Sequence, residues 1–404
     1  MENGYFANRL LVYFLLDREE HEKIWLRSEN APYFREGERI SPTAAAASSF
    51  LTPNAFSSDA ASPGEDSMTD QNHYSSGNSV NRTTKFSGHR FLIIGGTSKA
   101  GTTSVFTYLS EHPEICASTT KETRFFLDLE YPLRSQMRCQ RDGADAYLSF
   151  FDLGAGVDPE AWKLEATPDY LYGQATPRLI RETLPHVYLI FILRDPVRRL
   201  ISFYQFGRQL NEIPQTMTFD EYVELQSNPS LNNHVDRHRH PVFYALEHGR
   251  YSHYLQEFVE LFGRSAIHIA FYEELRRNSL AFMTAICRWA GIDDAFYRNY
   301  SFQVKNAGFT PRSSRLHRVY FNTRAKSRQL LSEHPRLRSA LRQIGGKVNL
   351  AYRKLNSTRR EEVRMSRATQ DFVCAYYKDE PARLKELLAI EVPWEGTALS
   401  LGKH

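Results

Sequence analysis

The stretch FLIIGGTSKAGTTSVFTYL, residues 91 to 109, constrains the fold more than any other part of the chain. Phe91 to Ile94 is an unbroken apolar run, the pattern of a buried strand. Val105, Phe106, Tyr108 and Leu109 then recur at helical spacing, with Pro113 just beyond. Between the two lies a Gly/Ser/Thr/Lys turn. A strand that enters a helix through such a turn is a place to hold an anion, because the first N–H groups of a helix have no internal partner. Gly95, Gly96 and Gly101 are expected to let the backbone approach that anion closely. Ser98, Ala100, Thr102, Thr103 and Ser104 supply N–H groups and hydroxyls, and Lys99 adds a full positive charge. This is not the phosphate loop GxxxxGK[ST], in which lysine directly follows the second glycine. Here Lys99 precedes Gly101. An ordinary strand-to-helix turn with an exposed lysine is the bland alternative.

Regular patterning begins near Arg90. Strand-like runs recur at residues 161–167, 187–195 and 266–275, with helical patterns between them, including DAYLSFFDL, TPRLIRETL, PVRRLISFYQFGRQL and YSHYLQEFVELFG. That alternation predicts βαβ units and a parallel sheet with helices on both faces. Upstream, residues 1 to 40 form a segment with aromatic and charged residues, and residues 41 to 88 are rich in Ser, Ala, Asn and Gly. The latter lack the large apolar groups needed to pack and read as a disordered linker. The domain proper is therefore expected at residues 89 to 404, with an arginine-rich, more weakly patterned part at 311–367 that reads as a solvated helical face.

A net charge of +4 gives no global sign of nucleic-acid binding. Cys116, Cys139, Cys287 and Cys374 lie far apart without a CxxC pair, which argues against a zinc site and fits a reducing, cytoplasmic setting. The early apolar run Leu10 to Leu16 is far short of the roughly 20 residues a membrane span needs. His234, His238 and His240 fit no familiar metal spacing and fall where a loop contacting an acceptor is expected.

A second anion site is expected in ILRDPVRRLISFYQF, residues 192 to 206. Ligands of parallel sheets bind in the crevice at the carboxyl ends of the strands. Arg194 closes such a strand, and Ser202 follows on the next helix, so the two are placed to share one anion. Arg198 and Arg199 read as a solvated helix face.

GGTSKAGTTS followed by LRDPVRRLISFY resembles the PAPS-dependent sulfotransferases, which use 3′-phosphoadenosine 5′-phosphosulfate as donor. KETRFFL (121–127), LEATPDYL (164–171) and residues 248–275 resemble further segments of the carbohydrate members, including those acting on heparan sulfate. The resemblance covers residues 88 to about 310 and extends towards VPWEG. It implies a three-layer α/β architecture, a central parallel sheet flanked by helices, related to the P-loop nucleotide-binding fold. It also implies that Lys99 to Ser104 hold the phosphosulfate, that Arg194 and Ser202 hold the 3′-phosphate, and that Glu122 is the general base. Lys305, Asn306 and Arg312 are candidates for a late basic loop closing over the nucleotide. Arg124 stands where related enzymes often carry histidine, and Ala166 where some heparan enzymes carry lysine, so a polyanionic glycan is not the expected acceptor. No metal is implied. A fixed ammonium and helix-start N–H groups stabilise the charge that grows on the leaving phosphate oxygen.

The expected reaction is sulfuryl transfer to a hydroxyl of a sugar, lipid or small molecule. Two alternatives stand beside it: a P-loop kinase or NTPase, and a non-catalytic nucleotide-binding scaffold.

Overall fold

In the computed structural model, the first apolar run becomes the middle of a five-stranded parallel sheet of order β2-β3-β1-β4-β5. The structure describes residues 86, 88–154, 158–210, 212–228, 241–303 and 362–394, with a few further positions between 310 and 358. The strands are β1 (Phe91–Gly96), β2 (Ile115–Ala117), β3 (Trp162–Ala166), β4 (Val187–Leu193) and β5 (Ile267–Phe271). β1 is buried along its whole length, paired with β3 on one side and β4 on the other. This explains its unbroken apolar run, since helices cover both faces of a sheet of this kind.

The helices, in chain order, are α1 (Thr102–Ser110), α2 (Cys139–Asp142), α3 (Thr176–Thr183), α4 (Pro196–Leu210), α5 (Phe219–Ser227), α6 (Tyr251–Phe262), α7 (Tyr272–Arg277), α8 (Ser279–Ala290), α9 (Arg367–Tyr377) and α10 (Glu380–Leu388). Successive strand residues point to opposite faces. Leu92, Ile94, Ile190 and Ile192 therefore pack with Val105 and Leu109 of α1 and Phe282 and Ile286 of α8. Phe91, Ile93, Leu189 and Phe191 pack on the other side with Leu255 and Phe258 of α6 and Leu384 of α10. This is the expected three-layer α/β arrangement.

Two local readings change, and the tail adds a third feature. The run at 266–275 is a strand only to Phe271. Glu273 and Glu274 then open α7, and Glu274 accepts the Phe271 N–H at 3.3 Å, as a helix start favours. DAYLSFFDL forms a 3₁₀ turn, Ala144–Phe150, in place of an α-helix. The tail motif VPWEG enters the core: Trp394 is buried against Tyr251 and Phe271. Among the described residues, no helix is long and apolar enough to cross a membrane.

The chain leaves β1 towards β2 and β3, and leaves β4 towards β5 on the other side. The carboxyl ends of β1 and β4 thus flank the switch point at which sheets of this type bind ligands. There β1 bulges: Ile94 pairs with Ile190, but Gly96 pairs with Phe191. A Cβ on Gly95 would lie 2.9 Å from the Phe191 ring, and one on Gly96 would lie 3.1 Å from Leu171. The protein's own packing thus constrains these two glycines, beside the ligand approach expected from the sequence.

Candidate functional site

Thr97 to Gly101 joins β1 to α1, and its backbone is held from three sides. The Thr97 N–H donates to Ile192 O at 2.9 Å. Lys99 takes the left-handed conformation, φ 73°, as does Gly101, φ 84°. A Cβ at Gly101 would also meet Leu275 and Tyr272, at 2.9 and 3.1 Å, so glycine is needed there twice over. α1 begins with no side-chain cap, which leaves the positive end of its first turn for a ligand. Ala100, Thr102 and Ser104 are buried, whereas Ser98, Lys99, Gly101 and Thr103 are half-buried. The loop therefore offers mainly N–H groups, with the Ser98 and Thr103 hydroxyls more accessible than the buried ones. The Lys99 ammonium sits over the Phe206 ring of α4, 4.0 Å from its centroid.

Arg194 comes to the same place from β4. Its Nη1 donates to Lys99 O at 2.9 Å, and its guanidinium lies over the Tyr272 ring at 4.7 Å. Tyr251 fixes the backbone beneath by donating to Arg194 O at 2.8 Å. Beside it opens a cleft of about 300 Å³ lined by Arg194, Arg198, Arg276, Arg277, Tyr272 and Glu273. Arg198, read from sequence as a solvated face, is exposed yet faces this cleft. Ser202 is buried two turns along α4. Asp195 caps that helix, accepting the Arg198 N–H at 2.8 Å. Its own N–H goes to Glu273, whose other carboxylate oxygen accepts the Trp394 indole N–H at 3.1 Å.

The largest correction concerns Arg199. It is fully buried, the opposite of the solvated position expected. Its Nε donates to Thr97 Oγ1 at 3.1 Å and Ser98 O at 3.2 Å, Nη1 to Ala245 O at 3.1 Å, and Nη2 to Tyr172 Oη at 2.9 Å. The guanidinium packs on Phe203 at 4.5 Å. Tyr172 in turn bonds Thr97, donates to His248 O, and stacks on the His248 ring at 3.8 Å. Burial, and then Arg199, hold His248 well below the ordinary histidine range, so its ring is neutral. One legible signal existed. Pro196, Arg199, Leu200 and Phe203 are spaced i, i+3, i+4, i+7, which puts Arg199 on the apolar stripe of α4.

Glu122 lies in a strap, residues 121–124, laid along the end of β3. Its N–H donates to Ala166 O at 2.9 Å, and the Arg124 N–H donates to Thr167 Oγ1 at 3.0 Å. Both carboxylate oxygens are ion-paired, Oε1 with Lys121 at 2.8 Å and Oε2 with Arg124 at 3.2 Å. Burial pushes the Glu122 carboxyl up, but Lys121 and Arg124 outweigh it, and the net shift is downward. A base needing an elevated pKa is therefore not what this environment makes of Glu122. Two carboxyls missed from sequence behave differently. Burial raises Glu165, at the end of β3, to about 7, against hydrogen bonds from Thr167 and Thr123 that lower it. Burial and the nearby Glu122 charge raise Asp169 to about 6.

Among the described residues, no group of three or more His, Cys, Asp or Glu side chains is arranged to hold a metal. Arg312, Lys305, Asn306, His234, His238 and His240 lie outside the described residues.

The family model described as "Sulfotransferase domain" matches residues 89–328. The human bifunctional heparan sulfate N-deacetylase/N-sulfotransferase 2 is 28% identical over 209 residues, 50% of this chain and 22% of that protein. The Drosophila melanogaster bifunctional heparan sulfate N-deacetylase/N-sulfotransferase is 25% identical over 218 residues, 50% of this chain and 20% of that protein. The chain thus spans about a fifth of the length of these relatives. A sulfotransferase structure from Alicyclobacillus acidocaldarius superposes with a TM-score of 0.52 at 20% identity, covering 75% of this chain and 97% of that one.

Proposed function

The chain belongs to the sulfotransferase family, and from that premise we propose that it moves a sulfuryl group from PAPS to an acceptor hydroxyl, releasing adenosine 3′,5′-bisphosphate. One observation carries this reading. The 2.9 Å bond from Arg194 Nη1 to Lys99 O ties the helix-start loop to the arginine-lined cleft, so two anion-binding surfaces share one crevice. A nucleotide with phosphates at both its 3′ and 5′ ends suits such a crevice. The 5′-phosphosulfate lies along residues 98–104, and the 3′-phosphate meets Arg194, with Ser202 behind it.

The sulfur is then held at the positive end of α1. An acceptor oxygen forms a bond to sulfur as the bond from sulfur to the bridging phosphate oxygen breaks. Lys99 and the first N–H groups of α1 stabilise the charge left on phosphate. Arg199 contributes by bracing Thr97 and Ser98 from below, which keeps those donors aimed without reorganisation. The acceptor's proton goes to a carboxylate at the end of β3. The heparan sulfate enzymes among the relatives favour a sugar within the acceptor class of sugar, lipid or small molecule. Arg124 is already committed to Glu122 and to Arg134 O, which weighs against its use on a polyanion. The unit that does this is taken as residues 89–404. The wide cysteine spacing makes a cytoplasmic setting part of the same proposal.

Against the kinase alternative, Asp195 is engaged in capping α4. Thermal shift with adenosine 3′,5′-bisphosphate, compared with ATP and Mg²⁺, separates the two: stabilisation by the bisphosphate is expected, and stabilisation by ATP with Mg²⁺ alone would reject the proposal. Transfer of sulfur-35 from PAPS to sugar, lipid and small-alcohol fractions then finds the acceptor and separates an enzyme from a scaffold.

A further inference from the structure

The strap that carries Glu122 has a backbone its own residues do not favour. Glu122 and Arg124 are both left-handed, at φ 64° and φ 57°, and neither is glycine. A residue with a Cβ stays in that region where the surrounding structure fixes it there. Residues 122–124 lie in neither helix nor strand, so their N–H groups need partners from elsewhere in the fold.

Beyond Glu122, those partners are hydroxyls, and one buried carboxyl organises them. The Arg124 N–H donates to Thr167 Oγ1 at 3.0 Å, the Phe125 N–H to Thr123 Oγ1 at 3.3 Å, and the Phe126 N–H to Tyr170 Oη at 3.2 Å. A hydroxyl has one proton to give and two lone pairs with which to accept. Thr123 and Thr167 both give that proton to Oε1 of Glu165, the former at 2.9 Å. Their lone pairs are then left to face the strap. Glu165 is fully enclosed at the end of β3, where water does not compete for these bonds. Ser135 Oγ donates to Thr123 O at 2.7 Å and holds the strap from its other side.

We propose that Glu165 is a positioning residue for sulfuryl transfer: it sets the two threonine hydroxyls that hold the strap, and through them the place of the Glu122 carboxylate. This rests on the sulfotransferase reading, with Glu122 as the base that the resemblance implies. In the step, a lone pair of the acceptor oxygen forms the new bond to sulfur. The pair of the breaking sulfur–oxygen bond leaves with adenosine 3′,5′-bisphosphate, and the acceptor's O–H proton passes to Glu122. Lys121 and Arg124 keep Glu122 ionised, so it is ready to accept, and what the fold has to supply is its position. The hydrogen bonds of Glu165 go to the strap and to the residue after β3, away from the loop at 98–104. Its influence should therefore fall on the chemical step and leave donor binding alone.

The test compares the full chain with Glu165→Gln, which keeps an oxygen that accepts both hydroxyls, and Glu165→Leu, which accepts neither. Single-turnover sulfur-35 transfer from PAPS, to the acceptor fraction that the parent labels, should slow about 10²-fold in Glu165→Leu, the scale of a misplaced group. Glu165→Gln should restore most of that rate. Calorimetric binding of adenosine 3′,5′-bisphosphate should be nearly unchanged in both. Amide hydrogen exchange at Arg124 and Phe125 should quicken in Glu165→Leu and not in Glu165→Gln. In a Glu122→Gln background, Glu165→Leu should cost little more, because the carboxylate through which it acts is already gone. Parent-like transfer by a folded Glu165→Leu overturns the proposal. So do losses that multiply in full in the double variant, or a rate loss matched by an equal loss of bisphosphate affinity. A Glu165→Gln as slow as Glu165→Leu overturns it too, since charge and not hydroxyl acceptance would then be at work. If Glu165→Leu does not fold, Thr167→Val decides by the same comparisons, as it removes the one hydroxyl between Glu165 and the Arg124 N–H. A parent that binds the bisphosphate but labels no acceptor rejects the sulfotransferase reading itself. That failure is told apart by the exchange at Arg124 and Phe125, which reads the clamp without any transfer.

Discussion

Arg199 donates to the phenol oxygen of Tyr172 at 2.9 Å, inside a shell that also contains Thr97 and the stacked His248 ring. A fully buried guanidinium with no carboxylate partner among the described residues is stable here because hydrogen bonds to Thr97, Ser98, Ala245 and Tyr172 replace its water. Arg199→Met should leave those acceptors unsatisfied, at about 1–3 kcal/mol for each group left without water. Arg199→Lys should rescue little, because a single ammonium lacks the planar fork that reaches Thr97, Ala245 and Tyr172 together. Urea unfolding measures the loss, and parent-like stability in Arg199→Met would contradict this account.

Arg194→Ala should weaken adenosine 3′,5′-bisphosphate by about tenfold or more, since a charged hydrogen bond contributes roughly 1.5–3 kcal/mol. Ser202→Ala should weaken it too, and the two effects should couple in a double-mutant cycle. The losses should disappear with adenosine 5′-phosphosulfate, which has no 3′-phosphate. Calorimetry with both nucleotides checks this, and equal losses with both would assign these residues to another group.

Glu165 gives a pH prediction. Its carboxyl is raised from 4.5 to about 7 in the folded chain, so the native state binds the proton more tightly than the unfolded state. That stabilisation is fully present below the unfolded value and is lost as pH rises through about 7. Over the shift the change is about 3 kcal/mol, at 1.36 kcal/mol per pKa unit. Glu165→Gln should flatten this slope and gain relative to the parent at pH 8, while its amide oxygen still accepts from Thr123 and Thr167. Denaturant unfolding at pH 5, 7 and 8 would show it, and an unchanged slope would place the proton elsewhere.

Removal of residues 1 to 85 should leave bisphosphate affinity intact. The cut precedes Phe86, which is buried against Phe91 at the start of β1. A soluble, folded truncation that fails to bind the nucleotide would move the boundary upstream.

The sheet and its order of alternation were legible because strands buried on both faces show as plain apolar runs, as at 91–94 and 187–193. β2 was not, since three residues at a sheet edge carry too little pattern. The turn between β1 and α1 could be read from its residues, and so could the place of Arg194 at the end of its strand. The role of Gly95 could not, because it depends on Phe191, nearly a hundred positions away in sequence and adjacent in space. The same holds for Asp169 and Glu165. A carboxylate's environment is set by which strands become neighbours, and LEATPDYL alone does not reveal that Thr123, Tyr131 and Ser98 close around it.

Trp394 gives the molecule an optical handle. Its indole N–H is bonded to Glu273, the same side chain that receives the Asp195 N–H and lines the arginine cleft. Indole emission responds to charge and hydrogen bonding at the ring, so an anion drawn into the cleft changes the fluorescence through one shared carboxylate. Among the described tryptophans, Trp394 is the one bonded to this carboxylate, and Trp394→Phe identifies its share of the signal. Titration with adenosine 3′,5′-bisphosphate is therefore expected to change the emission of the unlabelled protein, in real time and before any acceptor is known.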